Sequence, residues 1–339
     1  MFLAQDKFGR PLRDLRISVT DRCNFRCPFC MPAKTNGEEY HFLPRAEILT
    51  FEEIVRLTRI LVDLGVSKIR ITGGEPLLRS QIEVLVGYLA NIKGIEDLAL
   101  TTNGYLLAQK ARALKDAGLG RVTVSLHSLD DDVFANMNGR GYSTESVLEG
   151  LRVAAEVGLS PIKINIVVQR GVNGHTIVDL ARFFRRLGHV ARFIEYMDVG
   201  NLNGWNQDQV VSADEIVKTI SAELPLEPIE RTHNSDVALR FKYKDGGGEI
   251  GIIASVTKPF CGDCARLRLS AEGKLYTCLF ASEGHDIKGV LRAGATDNEI
   301  KEILTGLWSS RTDRYSEERA ALMANETMPR KVEMYQLGG

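Results

Sequence analysis

Short apolar runs alternate with longer amphipathic stretches over the larger, N-terminal part of the chain. The runs Leu15–Val19, Lys68–Thr72, Leu98–Thr102, Val122–Leu126, Ile162–Val168 and Val190–Ile194 have the length and the Ile, Val and Leu content of strands. Between them the apolar period lengthens to that of a helix. The clearest case begins at Thr50: Thr50 and Glu53 fit a capping box, Phe51, Ile54, Leu57, Ile60, Leu61 and Leu64 share one face, and Gly65 closes the element. Further helices are expected near 106–117, 144–157 and 177–187. Strands alternating with helices imply a parallel sheet joined by right-handed crossovers, with ligands at the carboxyl ends of the strands.

These units are too few for a closed eight-stranded barrel, and the strand faces show what forms instead. Side chains alternate along a strand, so Arg16 and Ser18 share a face, as do Lys68, Arg70 and Thr72, then Thr101 and Asn103, then Thr123, Ser125 and His127, then Lys163 and Asn165. The intervening positions are almost all Ile, Val or Leu. A doubly wound sheet would be apolar on both faces. The pattern therefore predicts an α/β chain built as an incomplete (β/α)6 TIM-like barrel with a polar lumen, followed by a smaller C-terminal domain. Arg16, Lys68, Arg70 and Lys163 either reach solvent from strand ends or converge on the lumen. Converging, they would repel one another and lose hydration, which calls for a polyanionic ligand of nucleoside triphosphate size.

Composition narrows the class. With 339 residues, 44% apolar and 26% charged, the chain reads as an ordinary globular protein, and its formal charge of −1 argues against a generic nucleic-acid or anionic-membrane surface. The first residues lack the apolar stretch of a signal peptide and no segment approaches the length of a membrane span, so a cytoplasmic location is expected. The six cysteines fall into two groups of three, and in a reducing compartment clustered cysteines point to metal ligation rather than disulfides.

Cys23, Cys27 and Cys30 are spaced C-x3-C-x2-C directly after the first strand. Soft thiolates select zinc or an iron-sulfur cluster. Zinc would need a fourth ligand, for which His41 is the nearest candidate. A 4Fe-4S cube would instead keep one iron open. The run Cys23-Asn24-Phe25-Arg26-Cys27-Pro28-Phe29-Cys30 resembles the signature loop of radical S-adenosylmethionine (SAM) enzymes, and Gly73-Gly74-Glu75-Pro76 after strand two resembles that family's methionine-binding turn. The resemblance implies that the open iron binds SAM and that Phe29, Gly74, Ser125 and Met197 contact it. His127 departs from the pattern, standing where such proteins usually carry an aspartate.

Cys261, Cys264 and Cys278 form the second group, with Arg266 and Arg268 placed to share a strand face between them. A zinc ribbon completed by His285 is one reading of these cysteines. Together with the first group, the arginine pair and the closing Gly338-Gly339, they resemble the GTP 3',8-cyclase family of molybdenum cofactor biosynthesis. That likeness extends from Arg10-Pro11-Leu12-Arg13-Asp14-Leu15-Arg16 through Phe193-Ile194-Glu195-Tyr196-Met197-Asp198-Val199-Gly200 to Arg314-Tyr315-Ser316-Glu317-Glu318-Arg319. It implies two 4Fe-4S clusters, with the second binding guanine. Arg16, Lys68, Arg70, Thr101, Lys163, Arg266 and Arg268 would hold GTP, and the Gly338-Gly339 tail would enter the site. The expected division is a radical SAM partial barrel over 1–235 and an auxiliary-cluster domain with the tail over 236–339. Expected partners are GTP, an electron donor and the next pathway enzyme, cyclic pyranopterin monophosphate synthase, with room for a homodimer and no nucleic-acid or membrane partner. The alternative is a radical SAM enzyme whose auxiliary cluster serves a peptide substrate; the lumen cations speak against it.

Overall fold

The six apolar runs form six parallel strands in the computed structural model, which describes residues 3–32, 40–230, 237–325 and 327–338. They are β1 (Asp14–Ser18), β2 (Lys68–Thr72), β3 (Asp97–Thr102), β4 (Arg121–Ser125), β5 (Lys163–Val168) and β6 (Val190–Glu195). Each pairs in parallel with the next. Helices α1 (Phe51–Asp63), α2 (Ile82–Ala90), α3 (Leu107–Asp116), α4 (Asp131–Asn138), α5 (Glu145–Glu156) and α6 (Ile177–Arg186) lie between them. The capping box at Thr50 forms as expected: Glu53 N–H donates to Thr50 Oγ1 at 3.2 Å and Thr50 N–H to Glu53 Oε2 at 2.8 Å. Such a cap contributes about 1 kcal/mol and fixes where α1 starts.

Two helices escaped the sequence pattern. α2 reads IEVLVGYLA and leaves Val84 and Tyr88 exposed, so its apolar residues run around the helix and blur the period. α4 is short, and its start is marked chiefly by Asp130, whose carboxylate accepts the Val133 N–H at 3.0 Å.

Beyond β6 the alternation stops, as expected, but the sheet continues. After α7 (Ala213–Ser221) and β7 (Leu226–Ile229), β8 (Leu239–Tyr243) leads into β9 (Glu249–Ile253), which pairs in parallel with β6; β10 (Arg266–Leu269) pairs in parallel with β1. The C-terminal region thus adds one parallel strand to each edge of the six. Antiparallel β8 and β7 extend one side, and β11 (Lys274–Tyr276) and β12 (His285–Asp286) the other. Four helices follow: α8 (Ile287–Arg292), α9 (Asp297–Ser309), α10 (Tyr315–Ala324) and α11 (Met334–Leu337). The expected boundary after residue 235 falls outside the described residues.

The alternate strand residues Ile17, Ile69, Ile71, Leu100, Val122, Val124, Ile164, Ile166 and Phe193 are fully buried with Leu57, Leu61, Leu114, Leu151 and Phe184 of the helices. That apolar layer forces the charged positions onto the other face. Arg16 of β1, Asn165 of β5, Arg192 of β6 and Arg266 of β10 line one cavity, so the sheet curves around it. Among the described residues no helix is long and apolar enough to cross a membrane.

Candidate active site

The first cysteine loop leaves the carboxyl end of β1. Cys30 N–H and Met31 N–H both donate to Cys27 O, at 3.0 and 2.8 Å, which folds Cys27 and Cys30 into one turn. Arg26 braces the loop by donating from Nη1 to Cys23 O and Phe25 O, both at 2.7 Å. The three thiols are free of disulfides. Burial pushes Cys23 up to about 11, with Glu75 adding to it; burial pushes Cys30 up to about 12, and Cys27 well up, with neighbouring cysteines next in each case. Three partly buried thiols whose ionisation the surroundings oppose fit a group that brings its own positive charge, and soft sulfur donors match iron.

The Gly73-Gly74-Glu75-Pro76 turn packs directly on this loop. Gly74 N–H donates to Thr20 O at 2.6 Å, and a Cβ on Gly74 would lie 2.3 Å from Arg22 O, so the close approach requires glycine. The buried Glu75 carboxylate accepts from Thr102 Oγ1 and Asn103 N–H, both at 2.7 Å, and from Leu77 N–H at 3.0 Å. Burial nonetheless raises it to about 7. Ser125 ends β4 opposite Asn165. Phe29 packs with Met137 and Tyr196 and meets the His127 ring edge-on at 5.0 Å. His127 Nδ1 accepts the Val167 N–H at 3.2 Å, and burial lowers its pKa to about 4. A neutral imidazole therefore occupies the position expected to carry a carboxylate.

Inside the lumen the cations converge. Arg70 Nη1 donates to Thr101 Oγ1 at 3.2 Å and Thr123 Oγ1 at 3.1 Å, and Arg192 Nη2 reaches the same Thr123 hydroxyl at 3.3 Å. Burial, then Arg268, Arg266 and Arg70, lower Arg16 well below its ordinary value; burial, then Arg192, Arg121 and Arg70, bring Lys163 to about 8. The Nε atoms of Arg16, Arg70, Arg192 and Arg266 are buried without a hydrogen-bond partner among the described residues. An orphaned buried donor costs roughly 1–3 kcal/mol, so the arrangement is built to receive an anion. Lys68 and Lys163 open β2 and β5, and line a second cavity at the amino ends of the strands that shares Arg16, Arg70, Arg192 and Arg266 with the first.

The second triad closes the first cavity. Cys261, Cys264 and Cys278 line it with Met197, Arg266 and Arg268. Burial raises the Cys264 thiol, but Arg266 and Arg311 outweigh it and bring the pKa down to about 6, whereas burial takes Cys278 up to about 12. The thiol chemistry again suits a cationic iron-sulfur group. His285 lies exposed on β12, away from the cavity lining. In register, Arg268 stands opposite Arg16 on β1, and its Nη1 donates to Gly338 O at 2.8 Å. The tail thus enters the lumen; Gly339 lies outside the described residues.

Two family models match, Radical SAM superfamily over residues 17–184 and Molybdenum Cofactor Synthesis C over 189–317. A GTP 3',8-cyclase of Acidothermus cellulolyticus is 50% identical over 357 residues, covering 99% of each chain, and one of Staphylococcus aureus is 46% identical over 336 residues, covering 99% of this chain and 98% of the relative. The chain belongs to the GTP 3',8-cyclase family. Two solved structures share the radical SAM fold: Streptococcus suis SuiB bound to S-adenosylmethionine (TM-score 0.60, 17% identity, 87% of this chain and 69% of that one) and methylornithine synthase PylB (0.53, 15%, 92% and 86%).

Within this GTP 3',8-cyclase family member, sequence reasoning missed three features. Arg192 alternates with Ala191 and Phe193 on β6, so the strand period already placed it on the lumen face. Arg311 sits beside Cys264, brought there only by the fold. Asp198 is a buried hub for Arg319 Nε at 2.9 Å, Lys331 Nζ at 2.7 Å and the Tyr315 hydroxyl, tying the loop after Met197 to the segment that carries the tail.

Proposed function

We propose that the chain converts GTP to 3',8-cyclo-7,8-dihydro-GTP, the first step of molybdenum cofactor biosynthesis. The observation that carries this reading is the convergence of Arg16, Arg70, Arg192, Arg266 and Arg268, with unsatisfied Nε donors on four of them, on a cavity bounded by the second cysteine triad. The names of the near full-length relatives support it. A 4Fe-4S cluster on Cys23, Cys27 and Cys30, when bound, supplies one-electron cleavage of SAM to methionine and a 5'-deoxyadenosyl radical. Gly74, Phe29, Ser125 and Met197 hold SAM; the Gly74 turn brings backbone close to the first loop, and Phe29 and Met197 offer apolar surface to the adenosine.

On the substrate side, Arg16, Arg70, Thr101 and Arg192 with Lys68 and Lys163 bind the triphosphate, while Arg266 and Arg268 orient the nucleoside against the second triad. Hydrogen abstraction from C3' of the ribose leaves a carbon radical that attacks C8 of guanine, and one electron and one proton complete the dihydropurine. Cys261, Cys264 and Cys278 would hold a second 4Fe-4S cluster, which would supply an anchor for the guanine beside Arg266 and Arg268. A lumen filled by substrate would exclude water from the radical. A low-potential electron donor, hand-off of product to cyclic pyranopterin monophosphate synthase, a cytoplasmic location and a division near residue 235 belong to the same reading. Anaerobic reconstitution with reductant, SAM and GTP is expected to give 5'-deoxyadenosine and a cyclised nucleotide; formation of 5'-deoxyadenosine with GTP recovered intact would sink the assignment.

A further inference from the structure

The buried ion pairs behind the second triad come from the other end of the chain. Asp6 is fully buried and holds Arg10 Nε at 2.5 Å and Arg311 Nη1 at 3.3 Å, while also accepting the N–H groups of Phe8 and Arg10, both at 2.9 Å. Both guanidiniums then reach past Asp6 to the cysteine loop. Arg10 Nη1 donates to Cys261 O and to Asp313 O, both at 2.8 Å, and Arg311 Nη1 donates to Cys264 O at 2.6 Å. Trp308 locks the arrangement from behind: its Nε1 donates to Arg10 O at 3.0 Å, and the Arg311 guanidinium lies 4.7 Å over its ring. One carboxylate from an N-terminal arm therefore fixes two cations onto the carbonyls of both cysteines in the Cys261-Gly262-Asp263-Cys264 run.

Stability alone accounts poorly for this. A buried ion triad is often no better for folding than apolar side chains of the same volume, and Asp6 and Arg10 do not line the cavity where substrate would sit. What the arrangement does supply is orientation and charge at the backbone of two ligands. Hydrogen bonds behind metal ligands, and charge near an iron-sulfur cluster, set ligand geometry and reduction potential.

We propose that Asp6, Arg10 and Arg311 are positioning residues for the second triad, holding Cys261 and Cys264 in cluster-ligating geometry and placing cationic charge beside the cluster. The proposal rests on the reading that this triad binds a cluster. The test uses the full chain, reconstituted anaerobically, with Arg10→Gln, Arg10→Lys and Asp6→Asn. Iron content, the rate of iron loss to a chelator, and the electron paramagnetic resonance signal and midpoint potential of each cluster are measured. Arg10→Gln is expected to speed iron loss from the second cluster about 10-fold or more and to lower its potential, since a cation that favoured the reduced form has gone. The first cluster, in the same molecule, keeps its signal and its SAM-dependent change. Arg10→Lys restores the potential more fully than the rate of iron loss, because it keeps the charge without the forked contact.

Unchanged iron loss and unchanged potential in both Arg10→Gln and Asp6→Asn would overturn the proposal. Should Arg10→Gln fail to fold, Arg10→Lys decides alone: wild-type iron loss in that variant overturns it. Cys264→Ala separates this failure from that of the underlying reading. If Cys264→Ala retains all the iron of the wild type, the triad holds no cluster and both ideas fall; if it loses iron while Arg10→Gln and Asp6→Asn do not, the positioning role alone falls.

Discussion

Replacing Gly338 by alanine tests whether the docked tail is part of the working site. Gly338 adopts φ +72°, and an added Cβ would lie 2.0 Å from Thr72 Oγ1, 3.1 Å from Thr72 Cβ and 3.3 Å from Ser18 Cβ. Both neighbours belong to central strands and cannot retreat. This positive-φ backbone, with ψ 121°, costs a residue with a side chain roughly 1–3 kcal/mol, and forcing a methyl into a packed site roughly 1–3 kcal/mol more. The fold need not bear that sum of about 2–6 kcal/mol, because the tail can leave the lumen, taking Gly338 O from Arg268. At the lower bound the docked state loses about 30-fold in population relative to the undocked one. Gly338→Ala is therefore expected to leave the melting temperature near that of the wild type while cyclised nucleotide falls steeply and 5'-deoxyadenosine continues to form. Quantifying both products in one anaerobic reaction gives the ratio. Wild-type cyclisation by a correctly folded Gly338→Ala chain would refute the reasoning.

Three further outcomes follow from the same geometry. Arg266→Ala with Arg268→Ala should impair cyclisation more than uncoupled SAM cleavage, since these side chains face the cavity beside the second triad; equal loss of both products would assign them to the fold. Glu75→Ala would strand the buried donors of Thr102, Asn103 and Leu77 at roughly 1–3 kcal/mol each, visible as a lower urea midpoint and weaker SAM binding by calorimetry; a wild-type midpoint would contradict it. His127 has a folded pKa of about 4 against an ordinary 6.5, so the unfolded chain binds the extra proton across that window. Its contribution is complete above the window and is lost as pH falls through it, by about 3 kcal/mol; His127→Gln should flatten that part of the stability profile measured by urea titration.

Much of this site was legible before any coordinates, because two rules of short range carried it. Cysteine spacing placed both triads, and the two-residue period of a strand put Arg16, Lys68, Arg70, Thr101 and Lys163 on the lumen face. The same period would have added Arg192. What stayed hidden depends on long-range closure: β9 and β10 are short and separated by a cysteine-bearing loop, so nothing local says that they flank β6 and β1. Asp6, Arg10 and Arg311 meet only because the ends of the chain pack on one loop. The burial that neutralises His127 is likewise a property of the folded neighbours, Phe29 and Val167, and no residue type announces it.

The most direct test of the central claim follows one hydrogen. With GTP deuterated at C3', reductant and SAM under anaerobic conditions, mass spectrometry of the released 5'-deoxyadenosine is expected to show one deuterium, matched by its loss from the cyclised nucleotide. Unlabelled 5'-deoxyadenosine formed alongside GTP that retains its deuterium would contradict a lumen built to present the ribose of a nucleotide to the radical.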